Sequence, residues 1–291
     1  MTLLHDHLEA AAGRLRAAGV REPSADAARL AAHVLDLDDP EDLPTDASLP
    51  IARLADFEAL VSRRAARVPL PHLVGRVRVR EVDLEVGPGV FVPQPETEPV
   101  IAWAAAAVRG SGEAAPIVAD LCCGAGTIAF CLAHEVPQAT VHAVERDPGA
   151  VRWARRNAAR LASAGDPPVT VHLADVDGCL PELGGQLTLV ASNPPYVATT
   201  ERDVPDPEVV DHDPAIALWA GDDGLDLVRR VERAARRLLR PGGQVVVEHS
   251  DRQGRTAPAI FERAGGWDEV VDHVDQEGRD RFVTARRHGA S

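Results

Sequence analysis

The sequence predicts an α/β fold in which a small helical region precedes an open, mostly parallel sheet. Beyond residue 115, short apolar runs alternate with longer amphipathic segments, which is typical of parallel strands joined by crossover helices. A glycine-containing turn follows the first apolar run, at the place where open α/β sheets bind ligands. The first 70 residues, in contrast, show helical periodicity alone.

Composition limits the classes of protein to which the chain can belong. Its 291 residues leave room for two modest domains, and an apolar fraction of 45% is ordinary for a globular protein. A net charge of −14 argues against general nucleic-acid binding, because phosphate contacts need a basic surface. The N-terminus lacks signal-peptide features and no apolar run reaches membrane-spanning length, so we expect a cytoplasmic protein without a membrane partner.

Residues 1–70 are predicted to form an N-terminal helical domain. Apolar side chains recur at helical spacing from Leu4 to Ala18. Ser24 has a side chain suited to a helix N-cap and precedes a second apolar stripe, and Pro50 opens a third helix. This region contains no group of side chains that would carry out catalysis.

Residues 71–98 are predicted to form a β-hairpin linker. Valine and leucine alternate with polar residues between Val77 and Val86, as in a half-buried hairpin. The prolines of the following Pro-x-Pro-Glu-Thr-Glu segment force an extended entry into a helix. Glu96 and Thr97 have side chains that favour a helix N-terminus. We interpret this segment both as a helix-capping linker and as one wall of a site.

Residues 99–291 are predicted to form the α/β domain. Seven strands are expected, at residues 117–121, 140–145, 169–173, 187–191, 244–248, 267–274 and 281–285. Intervening helices are expected at residues 127–134, 148–161, 223–239 and 252–264. Residues 240–243, Arg-Pro-Gly-Gly, predict a helix-ending turn. The acidic, proline-containing residues 203–213 predict a substrate-facing loop.

The turn at residues 122–126, which we call the glycine turn, predicts a site for an adenosine-containing cofactor. Its two glycines let a ligand approach the backbone closely. Glu145 ends the second strand about 20 residues further on, where a carboxylate binds ribose hydroxyls. NAD and S-adenosylmethionine are both compatible with this pattern. Asp120 favours the second, because a carboxylate there could balance an ammonium or sulfonium charge, and Asp175 is suited to the adenine amine. The adjacent cysteines lack metal-site spacing, so no metal is expected.

Residues 193–196, Asn-Pro-Pro-Tyr, form the NPPY motif and predict the reacting edge of the site. The motif follows an apolar strand, and two prolines cannot continue a sheet ladder, so its side chains are presented where the strand ends. The Asn193 amide oxygen and the Pro194 carbonyl can accept the two N–H groups of a substrate amine or amide. Tyr196 can stack on a planar amide or base. Asn193, Pro194 and Tyr196 are therefore the catalytic candidates.

Several motifs follow one another along the chain at consistent spacing. They lie at residues 91–98, 120–126, 143–148, 192–196 and 248–249. Together they resemble the family of peptide chain release factor N(5)-glutamine methyltransferases, over about residues 70–286. The NPPY motif alone is shared with other amino-methylating enzymes, whereas the Pro-x-Pro-Glu-Thr-Glu segment narrows the match to this family. We interpret Glu248 and His249, at the end of the fifth strand, as structural residues at the ligand edge of the domain.

The resemblance implies a class I methyltransferase (Rossmann-like) fold, with a seven-stranded sheet whose last strand is antiparallel. It also implies S-adenosylmethionine as cofactor and methyl transfer to the amide nitrogen of a protein glutamine, in the Gly-Gly-Gln loop of release factors. With the residues above, the expected cofactor site comprises Asp120, Cys122, Cys123, Gly124, Ala125, Gly126, Glu145, Asp175, Val176 and Asn193. The expected substrate site comprises Phe91, Pro93, Glu96, Thr97, Asn193, Pro194, Pro195 and Tyr196.

Four residues depart from the family pattern. Cys122 and Cys123 replace Gly-Thr in the turn, Gln94 replaces an arginine in the substrate wall, and Val176 replaces an aromatic residue at the adenine position. These changes preserve the activity class but leave the substrate open. The alternatives are another protein or peptide glutamine, an amino group of an extruded nucleic-acid base, and a cofactor-binding interaction module without catalysis.

Overall fold

The computed structural model describes residues 3–44, 46, 50–200 and 207–289. The described helices are α1 (Leu4–Ala17), α2 (Pro23–Val34), α3 (Ile51–Ala65), α4 (Leu70–Val74), α5 (Glu98–Gly110), α6 (Thr127–Glu135), α7 (Pro148–Ala164), α8 (Pro207–His212), α9 (Asp226–Leu238) and α10 (Thr256–Ala264). The strands are β1 (Arg76–Val79), β2 (Val82–Glu85), β3 (Ile117–Leu121), β4 (Thr140–Glu145), β5 (Val169–Leu173), β6 (Leu187–Ser192), β7 (Leu239–Glu248), β8 (Trp267–Val274) and β9 (Asp280–Arg287). The chain divides into two compact units.

The first unit is helical and contains α1 to α4, together with residues 86–88 and 207–212 of the described chain. Its core is apolar, with Leu15, Leu30 and Phe57 fully buried. The short helix α4 begins at the last residue of the predicted helical domain and extends into the stretch predicted as a β-hairpin linker. The prediction that Ser24 caps α2 is wrong: the helix begins at Pro23, whose fixed φ suits the first helical position.

A buried ion cluster joins α3 to two other segments of the helical unit. Arg64 is 5% exposed, and its guanidinium lies 2.7 Å from Asp26 and 2.9 Å from Glu208. Glu208 belongs to α8, so part of the stretch predicted as a loop at residues 203–213 is helical; residues 203–206 lie outside the described residues. Loss of one carboxylate would leave the buried cation undercompensated, at a cost of about 3–5 kcal/mol.

The second unit is built on a seven-stranded sheet of order β5-β4-β3-β6-β7-β9-β8. Strands β3 to β7 are parallel, and β9 is antiparallel to both β7 and β8. All six residues of β6 are buried, as expected for a central strand covered on both faces. The predicted sheet, with its antiparallel last strand, is confirmed. The strand order reverses direction at β3, and such switch points form ligand-binding crevices at the carboxyl ends of the strands.

Strand β7 begins earlier than predicted. The expected turn at residues 240–243 lies inside the strand, so this prediction is wrong. The β6–β7 register shifts between Leu187 and Leu189, which allows a proline and two glycines to occupy an irregular part of the ladder. The predicted hairpin upstream is present as the two-stranded sheet β1–β2.

Candidate active site

The glycine turn and the NPPY motif meet where β3 and β6 lie side by side. Leu121 pairs with Ser192 in the parallel register, and Ser192 Oγ donates to the Leu121 carbonyl at 2.6 Å. The next residues, Cys122 and Asn193, therefore leave the sheet as neighbours. Two motifs that lie 67 residues or more apart in sequence are brought to one edge of the sheet.

The glycine turn between β3 and α6 needs left-handed backbone at several positions. Gly126 has φ +94°, and an added Cβ would lie 2.1 Å from the Phe130 ring, so only glycine fits. Gly124, at φ +57°, has no described atom within 4 Å of an added Cβ, which leaves open space against its backbone. Cys122 also has a left-handed φ of +62°, at a cost of about 1–2 kcal/mol for a non-glycine residue.

Glu145 is fixed entirely by backbone donors. Its Oε2 accepts from Gly124 N at 3.0 Å, and its Oε1 accepts from Arg146 N at 2.7 Å and Asp147 N at 2.8 Å. The side chain is half-buried, and a carboxylate offers about four lone-pair sites, so it retains capacity for hydroxyl donors. This geometry agrees with a ribose-binding carboxylate.

Asp120 lies at 1% exposure beneath the glycine turn. Its Oδ2 accepts from Ala129 N at 3.0 Å, whereas its Oδ1 has no hydrogen-bond partner among the described residues. Burial, with a smaller contribution from the nearby Glu145 charge, raises the pKa of Asp120 to about 8, although the hydrogen bond from Ala129 N opposes the shift. The free oxygen is a buried acceptor that a cationic or N–H donor could satisfy.

The two residues predicted at the adenine position differ in environment. Asp175 accepts from Arg230, and its other oxygen lies 3.9 Å from the Arg146 guanidinium. Val176 is 4% exposed and packs in the apolar core that also includes Leu121. Asp175 is thus already paired with arginine side chains. Val176 is part of the buried apolar core.

Asn157 is a site residue that the sequence prediction missed. It is fully buried on α7; its Nδ2 donates to Glu85 O at 3.0 Å and Ala125 O at 3.1 Å, and its Oδ1 accepts from Glu85 N at 2.8 Å. One amide therefore ties β2 to the glycine turn. A polar residue on the buried face of an amphipathic helix was the only signal for this role.

Asn193 is held by the side chain of Thr97, a residue predicted to favour a helix N-terminus. Its Nδ2 donates to Thr97 Oγ1 at 3.0 Å, while its Oδ1 accepts no hydrogen bond from the described residues. Thr97 occupies the N-cap position of α5, as predicted, but it is 2% exposed and its hydroxyl makes no cap hydrogen bond. The hydroxyl instead points across to the residue that follows β6.

Tyr196 and Glu248 complete the edge. The Tyr196 hydroxyl donates to Glu248 Oε1 at 3.4 Å, and the Tyr196 carbonyl accepts from Gln253 Nε2 at 3.1 Å. Burial raises the pKa of the Tyr196 hydroxyl well above its usual value, so it stays a donor. Pro194 is buried beside Asn193, and its carbonyl accepts no hydrogen bond from the described residues.

Glu248 lies at the ligand edge of the sheet, as predicted, and it contacts the candidate site. It is the last residue of β7, is 1% exposed, and its Oε2 has no hydrogen-bond partner among the described residues. Burial raises the pKa of Glu248 to about 7; the Thr97 hydroxyl and the Arg281 charge oppose that shift, whereas Glu96 adds to it. The adjacent His249 is buried and contacts Asp272 at 2.8 Å.

The predicted substrate wall is only partly joined to the motif. Thr97 contacts Asn193, and the Glu96 charge acts on Glu248. Phe91 is half-buried, Pro93 is buried and Pro195 is half-buried, and none of them can make a side-chain hydrogen bond.

Among the described residues, no helix is long and apolar enough to cross a membrane. Their His, Cys, Asp and Glu side chains form no metal-binding group of three or more.

Known proteins resemble the chain along its whole length. Family profiles match the PrmC N-terminal domain at residues 6–75 and the methyltransferase small domain at residues 111–206. The release factor glutamine methyltransferase of Streptomyces coelicolor is 47% identical over 291 residues, 99% of each chain. A 4-amino-L-phenylalanine/4-methylamino-L-phenylalanine methyltransferase of Streptomyces pristinaespiralis is 41% identical over 269 residues, 89% of this chain and 87% of that one.

A solved structure supports the fold independently. The 16S rRNA N2 G1207 methyltransferase of T. thermophilus, in complex with AdoMet and guanosine, has a TM-score of 0.52 at 18% identity, over 73% of this chain and 50% of that chain. Fold, sheet-edge site and relatives define an S-adenosylmethionine-dependent methyltransferase of class I fold. Within that class, the chain belongs to the family of release factor glutamine methyltransferases. The predicted family, fold, enzyme class and cofactor are confirmed.

Proposed function

We propose that this enzyme methylates the side-chain amide nitrogen of a protein glutamine, in the Gly-Gly-Gln loop of peptide chain release factors. The observation that carries the proposal is the Asn193–Thr97 hydrogen bond, which engages Nδ2 and leaves Oδ1 without a hydrogen bond from the described residues. Two acceptors next to the glycine turn match the two N–H groups of a primary amide. The name of the S. coelicolor relative supports the same substrate.

The residues around the glycine turn fit the cofactor. S-adenosylmethionine supplies an electrophilic methyl group on its sulfonium. Glu145 would accept from the ribose hydroxyls, and the open space at Gly124 admits a ligand against the backbone. The unpartnered Asp120 Oδ1 would face the cationic amino-acid end, and Asp175 with Val176 would border the adenine.

Substrate activation would come mainly from positioning. An amide nitrogen is a poor nucleophile because its lone pair is delocalised into the carbonyl. Asn193 Oδ1 and the Pro194 carbonyl would hold both amide hydrogens and direct the nitrogen at the methyl group, while Tyr196 covers the amide plane. Such orientation can supply about 7–11 kcal/mol of the barrier. The amide proton can pass to water after transfer, so this step needs no covalent intermediate.

The test is a methyl-transfer assay with labelled S-adenosylmethionine and purified release factor. Mass spectrometry of the Gly-Gly-Gln peptide should show one added methyl group on the glutamine. Cofactor binding by calorimetry with no methyl on that residue would remove the release factor as substrate while retaining the enzyme class. Because the proposed substrate is a release factor, we also propose a cytoplasmic location. The domain boundaries at residues 70 and 98 remain predictions.

A second candidate is methylation of a small aromatic amine. It is favoured by the 41% identity to the S. pristinaespiralis enzyme, whose name specifies amino-phenylalanine substrates. In the substrate wall, Gln94 folds back so that its Nε2 donates to Val92 O at 3.0 Å, and it brings no cation. Parallel assays with 4-aminophenylalanine, a glutamine peptide and RNA would rank these alternatives by kcat/KM; methylation of the amine alone would favour this candidate.

A further inference from the structure

The main chain of the NPPY motif has few hydrogen-bonding groups of its own. Pro194 and Pro195 lack a backbone N–H, so half of the motif cannot donate to a neighbouring segment. Its upstream end continues from Ser192, the last residue of β6, which is paired in the sheet. Its downstream end, at Tyr196, lies beyond the strand. The position of the motif therefore depends on what holds Tyr196.

Gln253 binds that downstream end with its side-chain amide. It lies in the turn between β7 and α10 and is 6% exposed. Its Nε2 donates to Tyr196 O at 3.1 Å and to Asp223 O at 3.2 Å, and its Oε1 accepts from Ser250 N at 3.0 Å. One buried side chain therefore ties together the segments that follow β6, precede α9 and follow β7.

The orientation of the Gln253 amide is fixed by its partners. A backbone carbonyl only accepts and a backbone N–H only donates, so the NH₂ group must face Tyr196 and Asp223, and the oxygen must face Ser250. A flipped amide would place its oxygen against two carbonyl oxygens. The amide is therefore satisfied in a single orientation, and that orientation sets the position of the Tyr196 carbonyl.

Gly224 shows how closely these segments approach one another. Its φ is +72°, and an added Cβ would lie 2.3 Å from Tyr196 O and 2.8 Å from Gln253 Nε2. A side chain at residue 224 would thus occupy the space of the hydrogen bond itself. Two positions of the sequence therefore build the contact: an amide that donates and a glycine that leaves room for it.

We propose that Gln253 is a positioning residue for methyl transfer, which fixes the main chain at Tyr196 and thereby the place of the tyrosine ring at the substrate edge. The inference rests on the proposed function, in which Tyr196 covers the substrate amide. The Tyr196 hydroxyl lies 3.4 Å from Glu248 Oε1, which is long for an O–H···O hydrogen bond, so the phenol end alone does not fix the ring. The Gln253 bond holds the opposite end of the residue.

The first experiment compares Gln253→Glu with wild type on release factor at saturating S-adenosylmethionine. Glutamate keeps the shape and the acceptor for Ser250 N, but an ionised carboxylate has no donor for Tyr196 or Asp223. We expect kcat to fall about 10- to 100-fold, since a displacement of about 1 Å at a reacting centre can cost about 10²-fold. Cofactor affinity should stay within a few-fold, because the glycine turn is untouched. Wild-type kcat in Gln253→Glu would overturn the proposal.

Thr188→Val is the control for lost stability. Thr188 is buried near the opposite end of β6, where its hydroxyl donates to Glu113 at 2.5 Å and accepts from Ile117 N at 3.3 Å. Valine removes both bonds away from the site, so Tm should fall while kcat stays within about two-fold. A loss of kcat equal to that of Gln253→Glu would assign the effect to stability rather than to positioning.

A second variant breaks the same contact without altering Gln253. The methyl group introduced in Gly224→Ala would push its segment away from Tyr196 O, so kcat should fall at least ten-fold. Gly112→Ala is the matched control, because its φ of +73° imposes the same backbone strain and no described atom lies within 4 Å of an added Cβ. It should lower Tm and retain kcat within about two-fold. Equal kcat in the two glycine variants would contradict the proposal.

A readout without substrate separates this inference from the proposed function. Tyr196 is the one tyrosine in the sequence, so labelling with [1-¹³C]tyrosine gives a single backbone carbonyl signal. Loss of the hydrogen bond should shift that signal upfield in Gln253→Glu and Gly224→Ala, and leave it in place in Thr188→Val and Gly112→Ala. An unchanged signal in both site variants would show that Gln253 does not hold this carbonyl, and would overturn the proposal.

The two failures are therefore distinguishable. If wild-type enzyme methylates no release factor, but the Tyr196 signal shifts and Gln253→Glu slows methylation of the glutamine peptide or of 4-aminophenylalanine, the substrate assignment fails and the positioning role stands. If wild type and Gln253→Glu methylate the release factor with the same kcat, the positioning role fails and the substrate stands.

Discussion

The two halves of the site are held in different ways. The half around the glycine turn is fixed by the backbone: Glu145 accepts from three backbone N–H groups, and Asn157 bonds only to backbone atoms. The half around the NPPY motif is fixed by side chains, because Asn193 and Tyr196 depend on Thr97 and Glu248. The bonds that hold the first half therefore end on main-chain atoms, whereas the Asn193–Thr97 and Tyr196–Glu248 bonds of the second half join one side chain to another.

Most departures from the family pattern lie in the first half. Cys122 and Cys123 lie in the backbone-fixed half, where the turn geometry persists in spite of a strained φ at Cys122. Val176 lies in the buried apolar core beneath the same half. The NPPY motif carries no departure, but Gln94 is a departure in the substrate wall, where its Nε2 donates to Val92 O.

The largest effect is expected from Asn193→Ala. Removal of the acceptor that orients the substrate amide should lower kcat about 10²- to 10³-fold, the size seen when one stabilising side chain is deleted from a reacting centre. Cofactor affinity should stay within a few-fold of wild type by calorimetry. Loss of cofactor binding instead would show that the two halves are not separable.

Glu145→Ala should have the converse effect. The dissociation constant for S-adenosylmethionine should rise about 10- to 100-fold, since hydrogen bonds to a charged acceptor contribute about 1.5–3 kcal/mol each. At saturating cofactor, kcat should remain near wild type, because the substrate half is untouched. The exposed Glu182→Ala is a suitable control. A fall in kcat without a change in affinity for S-adenosylmethionine would show that Glu145 acts on the substrate and not on the cofactor.

Each half buries one carboxylate, and stability should therefore fall as pH rises. Burial raises the pKa of Asp120 to about 8 and that of Glu248 to about 7, both above their unfolded values near 4. The folded state thus binds protons more tightly, and the resulting stabilisation is complete below pH 4 and lost as pH passes 7–8. Between these limits, each group lowers the unfolding free energy by about 1.4 kcal/mol per pH unit.

Urea unfolding at several pH values between 5 and 8 measures this slope. Asp120→Asn and Glu248→Gln should each make the slope less steep by about one titrating group, and the two effects should add. An unchanged slope in both variants would mean that neither carboxylate binds its proton more tightly in the folded state.

The smallest effect is expected at Cys122. Glycine there relieves the left-handed strain and should raise stability by up to about 1 kcal/mol, with cofactor affinity within two-fold. Cys122→Ala keeps the strain and controls for loss of the sulfur. A Tm lower in Cys122→Gly than in Cys122→Ala would show that the turn does not strain this residue.

The strands could be predicted because buried parallel strands give continuous apolar runs. Strands β3, β4, β5 and β8 have the predicted limits. The start of β7 was missed because a register shift admits Pro241 and the neighbouring glycines, a feature of pairing between strands rather than of local sequence. The glycine turn and Glu145 were found from their spacing alone.

The polar supports of the site could not be predicted. Thr97 and Asn193 are 96 residues apart, and Asn157 and Glu85 are 72 apart, so no local pattern connects them. Threonine is a residue type that favours helix N-caps, but the Thr97 hydroxyl accepts a tertiary hydrogen bond from Asn193 and makes no cap bond. Glu248 differs from an ordinary strand-ending acid only in its neighbours.

The strand order also fixes when the site is built. β3, β4 and β5 follow one another along the chain, whereas the β3–β6 contact closes a long loop, because Leu121 and Ser192 are 71 positions apart. Such distant pairings form slowly because loop closure must precede any gain from contact. During synthesis from the N-terminus, the glycine turn can form while β7 and β9 have not yet been made. We therefore expect the cofactor half to form before the substrate half.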